Sequence, residues 1–143
     1  MAQLKKSLYR IIDANLNRAL EGIRVCEDIA RFALSDKKST SMLKKIRHCA
    51  SAAVKIIEPD YSAIVSSRDS ANDTGRTLNP KSEFTKKGLK DILISNFKRA
   101  QESLRVLEET SKLIDIKAAA SFKEARYDMY TAEKNMLRKR IQK

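Results

Sequence analysis

Residues that build turns, bridges and metal sites are scarce here: three Gly, two Pro, two Cys and one His in 143 residues. So little Gly and Pro argues against a β-sandwich with its many turns and favours helices, which need little turn chemistry. The lone His48 follows Arg47 in a helical stretch and gives no support to a zinc site or a His-based triad. Cys26 and Cys49 fall in apolar helical stripes without metal-ligand neighbours at a useful spacing, and read as small core residues. No apolar run reaches some 18 residues, so no membrane span is expected. The start, Met1-Ala2-Gln3-Leu4-Lys5-Lys6, lacks the apolar stretch of a signal peptide, and a cytoplasmic protein is expected. Neither G-x-x-x-x-G-K-[ST] nor G-x-G-x-x-G occurs, so there is no Gly-rich phosphate loop.

What is abundant is charge. Charged residues make up 34% and hydrophobic residues 42%, the balance of a globular chain rather than a disordered one. The length fits a single helical domain over 1–143. A net charge of +12 points to an anionic partner: nucleic acid, phosphorylated small molecules or an acidic membrane surface.

The most informative feature is an internal repeat. Asn15-Leu16-Asn17-Arg18-Ala19-Leu20-Glu21-Gly22-Ile23-Arg24-Val25-Cys26-Glu27-Asp28 returns 81 residues later as Asn96-Phe97-Lys98-Arg99-Ala100-Gln101-Glu102-Ser103-Leu104-Arg105-Val106-Leu107-Glu108-Glu109. Seven of the 14 positions are identical, where unrelated segments would share roughly one. Apolar spacing alone would need only Leu or Ile at intervals, yet Asn, Arg, Glu, Arg and Glu recur in register. Two copies of one helix with one polar set imply a pseudo-symmetric bundle around a polar site.

Helix one is expected from Lys5 to about Leu34, with the stripe Ile12, Leu16, Ala19, Ile23, Cys26, Ala30, Ala33 alternating steps of four and three. Ser35-Asp36 supply a stop and Ser39-Thr40 an N-cap for helix two, whose stripe is Leu43, Ile46, Ala50, Ala53, Ile57 and which ends before Pro59. From Glu58 the periodicity lapses. Tyr61–Val65 reads as either extended or a helical turn, and 66–76 has loop composition, long enough to be functional or disordered. Helix three is expected from about Thr85 to Asp115, with Leu93, Phe97, Ala100, Leu104, Leu107, Ser111 and Ile114. Helix four follows from Lys117 to the end, with Phe122, Ala125, Met129, Ala132 and Met136. Leu43-Lys44-Lys45-Ile46-Arg47 also parallels Phe122-Lys123-Glu124-Ala125-Arg126. The repeated unit is therefore a helical hairpin. The expectation is all-α: a four-helix bundle of two hairpins, about 5–57 and 85–143, joined by a long functional loop over 58–84.

Asn15, Arg18, Asn96 and Arg99 lie one position from the apolar seam, and a charge near the core must find an acid or an anion. Two accounts stand side by side. In one, Arg18, Glu21, Arg24 and Glu27 form an internal salt-bridge lattice that holds the helices in register. In the other, the Asn and Arg pairs of both copies converge on an anion, with Arg47 and Arg126 extending the basic lining and Tyr130 adding a hydroxyl or an aromatic wall. In the loop, Arg68-Asp69 and Asp73-Thr74-Gly75 put two carboxylates four residues apart. They can hold Mg²⁺, or simply form turns.

At Ile12-Asp13-Ala14-Asn15-Leu16-Asn17-Arg18-Ala19-Leu20-Glu21-Gly22-Ile23-Arg24-Val25 the chain resembles the helical domain found alone or fused ahead of thiamine-phosphate synthase in cyanobacteria and some other bacteria. Three more stretches match in order: Arg68-Asp69-x3-Asp73-x-Gly75, then Asn96-x2-Arg99-Ala100-x-Glu102-x-Leu104-Arg105-Val106-Leu107-Glu108-Glu109, then Phe122-x3-Arg126-Tyr127-x2-Tyr130. The resemblance spans nearly the whole chain. It implies a hydroxymethylpyrimidine-phosphate kinase that moves the γ-phosphate of ATP, with Mg²⁺, to 4-amino-5-hydroxymethyl-2-methylpyrimidine phosphate for thiamine biosynthesis. Carried over, it makes Arg18, Arg99, Arg47 and Arg126 phosphate contacts, with Asn15 and Asn96 orienting the substrate. Asp69 and Asp73 become candidates for Mg²⁺ or for the accepting hydroxyl, Arg68 for transition-state charge, and Glu21 and Glu102 for orienting the arginines. Synthase activity itself is not implied, because that enzyme is a barrel of about 200 residues with alternating strands.

Two rivals stand beside the kinase. A nucleic-acid-binding helical protein would suit the charge, but the basic residues are spread along the chain and the repeated Arg are matched by repeated Glu. A non-catalytic module that docks a thiamine-phosphate synthase partner would tolerate loss of Arg18, Arg99 and Asp69. A homodimer with a shared site stays open as the assembly.

Overall fold

In the computed structural model of the protein, which describes residues 2–78, 86–139 and 141, the chain is all-helical. Four long helices carry it: α1 (Ala2–Asp28), α2 (Lys37–Ile57), α4 (Leu89–Ser111) and α5 (Ile116–Leu137), with the short α3 (Tyr61–Val65) between the two pairs. Each long helix packs on two neighbours, α1 on α2 and α4, and α5 on α2 and α4. Two hairpins, α1–α2 and α4–α5, thus stand side by side and close a four-sided bundle.

The apolar stripes supply the core. Ile12, Ala19, Ile23, Cys26, Leu93, Phe97, Ala100, Leu104, Leu107, Phe122 and Met129 are completely buried. α1 and α4 run antiparallel: the Cys26 thiol lies 3.8 Å from the Leu93 carbonyl, and Gly22 faces Asn96 and Ala100. A Cβ built on Gly22 would sit 2.9 Å from the Asn96 carbonyl oxygen and 3.3 Å from the Ala100 nitrogen. Glycine is required there because the two backbones meet. Ser103, its counterpart in the second copy, is buried and donates its hydroxyl to the Arg99 carbonyl at 2.7 Å.

The boundaries differ from the sequence expectation in instructive ways. Helix one does not run unbroken to Leu34: after Asp28 the chain widens into a π-helical turn, Ile29–Ala33, closed by Leu34 N–H to Ile29 O at 3.0 Å. That turn rotates the stripe, and Ala33 is exposed. Ser35 then takes a left-handed conformation (φ 50°) and Asp36 N–H reaches back to Ala30 O at 2.8 Å, a helix stop of the kind glycine usually makes. The cap of α2 is Asp36, not Ser39 or Thr40; its carboxylate accepts from Ser39 N–H at 3.1 Å. Tyr61–Val65 is helical, capped by Asp60 and pinned by the buried Ile64. Helix three begins at Leu89 rather than Thr85, and Thr85 itself lies outside the described residues. It stops at Ser111, which leaves Ile114 in the connecting turn and partly exposed.

With α2 ending beside the start of α1, and α4 beginning beside the end of α1, the connection between hairpins must travel the length of the bundle. Its described part, up to residue 78, lies against α1. Arg68 donates twice to the Asp13 carboxylate, at 2.7 and 2.8 Å. Arg10 donates to the Asp69 carbonyl at 3.2 Å.

Candidate functional site

The repeated polar residues divide into two groups. Glu27 and Glu108, equivalent in the two copies, are buried and serve the hairpins. Glu27 accepts from Arg47 of α2 at 3.1 and 3.4 Å and lies 3.5 Å from Arg24. Glu108 accepts from Arg126 of α5 at 2.9 and 3.1 Å and from Arg105 at 3.4 Å. Tyr130 accepts a further bond from Arg126 at 3.2 Å, and the guanidinium lies over the Tyr127 and Tyr130 rings. The bond to Tyr130 and the charge of Glu108 raise the Arg126 pKa against the effect of burial. Arg47 and Arg126 are thus turned to carboxylates that tie each hairpin, and neither lines the cavity described next. The lattice formed is Arg24–Glu27–Arg47 and its copy, without Arg18 and Glu21.

Arg18 and Arg99 form the second group. Both are exposed, and among the described residues neither lies within ion-pair distance of a carboxylate. They come from equivalent positions of antiparallel helices and converge on one cavity of about 450 Å³, lined also by Asn15, Glu102, Ser103, Val106 and, from the loop, Gly75 and Leu78. Asn15 is buried, holds the Ile11 carbonyl through its amide at 2.9 Å, and accepts from Arg18 at 3.5 Å. Asn96 makes the same backbone bond, to Ile92 O at 2.8 Å, but is not among the lining residues. Glu21 is exposed and stands apart from the cavity, whereas Glu102 borders it.

A second cavity of about 390 Å³ adjoins the first and shares Asn15 and Arg18 with it. Ser7, Arg10, Ile11 and Ala14 of α1 face Asp73 and Thr74 of the loop across it.

The loop residues behave differently from one another. Arg68 is spent on Asp13, whose carboxylate bonds and charge hold the guanidinium more firmly protonated. Asp69 folds onto its own turn: both its oxygens accept from Asn72, at 3.0 to 3.2 Å, and these bonds lower its pKa. Asp73 also shapes its turn, accepting from Gly75 N–H at 2.8 Å, and it borders this second cavity, which Asp69 does not line. Among the described residues no group of three or more His, Cys, Asp or Glu side chains gathers to hold a metal. One carboxylate suffices for Mg²⁺ when phosphate oxygens and water complete the shell, and Asp73 fits that donor set.

A profile of the ThiD2 family matches residues 10–135. The chain belongs to the ThiD2 family. The matched stretch takes in most of α1, the whole crossover loop and both hairpins. Curated relatives include proteins named thiamine-phosphate synthase from Nostoc punctiforme, 38% identical over 94% of this chain, and Synechocystis, 37% identical over 92%. Another, from Rhodopirellula baltica, is 36% identical over 87% of the chain. The chain spans about a third of the length of these relatives, 37%, 36% and 33% respectively. No solved structure matches it.

Several residues of this ThiD2 chain escaped sequence reasoning. Asp13, which anchors the loop, lies inside the first repeated helix, but a buried carboxylate there is recognisable only once Arg68 is opposite. Arg10, Ser103, Leu78 and Val106 border the cavities without belonging to the repeated polar set. Glu27 and Glu108 were visible as repeats, and the missing signal was their partner across the hairpin.

Proposed function

We propose that the chain transfers a phosphoryl group from ATP to 4-amino-5-hydroxymethyl-2-methylpyrimidine phosphate, acting in thiamine biosynthesis at the cavity between α1 and α4. One observation carries this reading. Of six helical arginines, Arg24, Arg47, Arg105 and Arg126 are paired with buried carboxylates, whereas Arg18 and Arg99 face one cavity and, among the described residues, have no carboxylate within ion-pair distance, Glu102 at its border included. Two unneutralised guanidinium groups at one concave site favour a multiply charged oxyanion such as a phosphate monoester. The thiamine connection draws on the relatives' names and on the ordered motifs.

The chemistry asks little else of the protein. The acceptor is an oxygen of the pyrimidine's own phosphate, not a hydroxyl, so it is already anionic and needs no general base. The accepting-hydroxyl role considered for Asp69 and Asp73 therefore falls away. What remains is to neutralise two phosphates brought together and to align them. Arg18 and Arg99 offset the acceptor's charge. Asn15 orients Arg18, and Glu102 supplies an acceptor for the pyrimidine amino group. Leu78 and Val106 offer apolar walls to the ring. Asp73 would hold Mg²⁺ here, and the ion would supply neutralisation of phosphate charge.

The test is an assay of pure protein with Mg-ATP and the pyrimidine phosphate, reading ADP and pyrimidine diphosphate together. Turnover should collapse by a factor of a hundred or more in Arg99→Ala at unchanged helicity, about the cost of one lost transition-state charge contact. A folded wild type without turnover would defeat the proposal. It would favour a second reading, a non-catalytic module serving thiamine-phosphate synthase, which rests on the chain matching only about a third of proteins with that name.

A further inference from the structure

The site has two chambers, and they are not alike. The Arg18–Arg99 cavity is bounded by both repeated helices and by Gly75 and Leu78 of the loop. The adjoining one is bounded by α1 alone and by Asp73 and Thr74, with Ser7 and Arg10 at its outer end. The Asp73–Gly75 turn, closed by the Asp73–Gly75 bond and by Arg76 N–H to Asp73 O at 3.1 Å, stands between them. Arg18 lines both.

We propose that the chamber between α1 and Asp73–Thr74 is a second anion subsite, which takes the Mg²⁺-bound phosphate chain of a nucleotide and leaves the Arg18–Arg99 cavity to the pyrimidine phosphate. Size is the first argument. At about 390 and 450 Å³ each chamber is at the small end of the range for ligand sites, roughly 300–1,000 Å³. Two phosphorylated substrates need both. Charge and donors are the second. Arg10 and Arg18 flank the outer chamber, the Ser7 and Thr74 hydroxyls add neutral donors, and Asp73 is a carboxylate that would hold Mg²⁺ beside phosphate oxygens and water. The inner cavity instead carries Glu102 and two apolar walls, which suit an aminopyrimidine and oppose a polyphosphate. The third is position. A donor chain in the outer chamber and an acceptor phosphate in the inner one would meet at Arg18, the charged residue that lines both chambers, where charge is greatest during transfer.

Naming the two ligands rests on the kinase reading; the existence of a separate subsite does not. Calorimetry separates the two with Mg-tripolyphosphate and the pyrimidine phosphate as individual probes. Arg10→Gln removes the charge and keeps an amide donor for the Asp69 carbonyl; Arg10→Ala serves as its companion. Both should weaken tripolyphosphate about tenfold or more and leave the pyrimidine phosphate within about twofold, as loss of one charged contact dictates. Arg99→Ala should do the reverse, and Arg18→Ala should weaken both. No tripolyphosphate binding by the wild type, or Arg10 variants that weaken both probes alike or neither, would overturn the subsite. If the split is seen but no turnover, the kinase reading fails and the subsite stands. If turnover is seen without the split, the kinase stands and the subsite fails.

Discussion

Removing Arg68 should loosen the crossover loop more than removing its partner Asp13. The reason lies in where each charge sits. Asp13 is 3% exposed. Apart from Arg68, its carboxylate meets only the Asn17 amide among the described residues, at 3.5 Å. The Arg68 side chain is 41% exposed and can be solvated in place. Arg68→Ala therefore leaves a carboxylate with one long bond while the loop stays docked, and undocking returns that carboxylate to water. A buried charge so stranded costs several kcal/mol; water entering the space left by a half-exposed arginine reduces this to about 2 kcal/mol. At 1.4 kcal/mol per tenfold, the undocked fraction rises about 30-fold. Asp13→Ala loses the same bonds but strands no charge, and its effect should be about 1 kcal/mol, or fivefold. Hydrogen exchange read by mass spectrometry on the peptide spanning 66–78 measures this directly. Amide exchange in Arg68→Ala within twofold of wild type would refute the reasoning, as would an Asp13→Ala variant that exchanges faster than Arg68→Ala.

Other variants test the frame around the site. Glu108→Ala should cost about 3 kcal/mol, because it strands the buried Arg126. That should lower the melting temperature by about 10 °C, and Glu108→Leu with Arg126→Met should recover most of it. Gly22→Ala should destabilise by about 1 kcal/mol in urea titration, the gain in helix propensity being outweighed by a Cβ driven against a backbone carbonyl. Ser35→Gly should stabilise by about 1 kcal/mol, because it relieves the left-handed conformation at φ 50°. The Cys26 thiol, pushed up to about 12 by burial and by the charge of Glu133, should resist a thiol reagent at pH 8 in the folded protein. It should react there only on unfolding, whereas fast labelling of both cysteines at that pH would contradict the buried position.

What could be seen in the sequence was what recurs. Ile12, Ile23, Phe97 and Leu104 announce the helices by spacing, and the recurrence of whole helices announces the bundle. Ends were less legible. The π turn at Ile29–Ala33 follows from tertiary packing and leaves no spacing signal, and Asp36 outcompetes Ser39 as a cap because the helix stop places it first in line. In the site, the repeat singled out Arg18 and Arg99, but it singled out Arg24, Arg105, Glu27 and Glu108 equally. One linear pattern cannot separate Arg24 and Arg105, which meet the glutamate three residues on, from Arg18 and Arg99, which have a glutamate at the same spacing and, among the described residues, pair with no carboxylate. Arg47 and Glu27 are 20 residues apart and Arg126 and Glu108 are 18; only the folded hairpins bring them together.

The residues that hold the loop are those the repeat does not conserve, and this makes an asymmetric site from a symmetric scaffold. Asn15, Arg18 and Glu21 of α1 have their like in Asn96, Arg99 and Glu102 of α4. Arg10 and Asp13 do not: Asp91 and Ile94 stand at the corresponding places in α4. Among the described residues the loop ties of Arg10 and Asp13, to Asp69 O and to Arg68, therefore have no counterpart on α4. These two ties hold the described part of the loop to α1. The packing of the two helices carries the same bias, since Gly22 admits no Cβ against Asn96 whereas its counterpart Ser103 brings a side chain to the cavity. The proposed transfer between unlike phosphates would require unlike halves. Two copies of one hairpin supply the paired arginines, and four unshared residues, Arg10, Asp13, Gly22 and Ser103, make the halves differ.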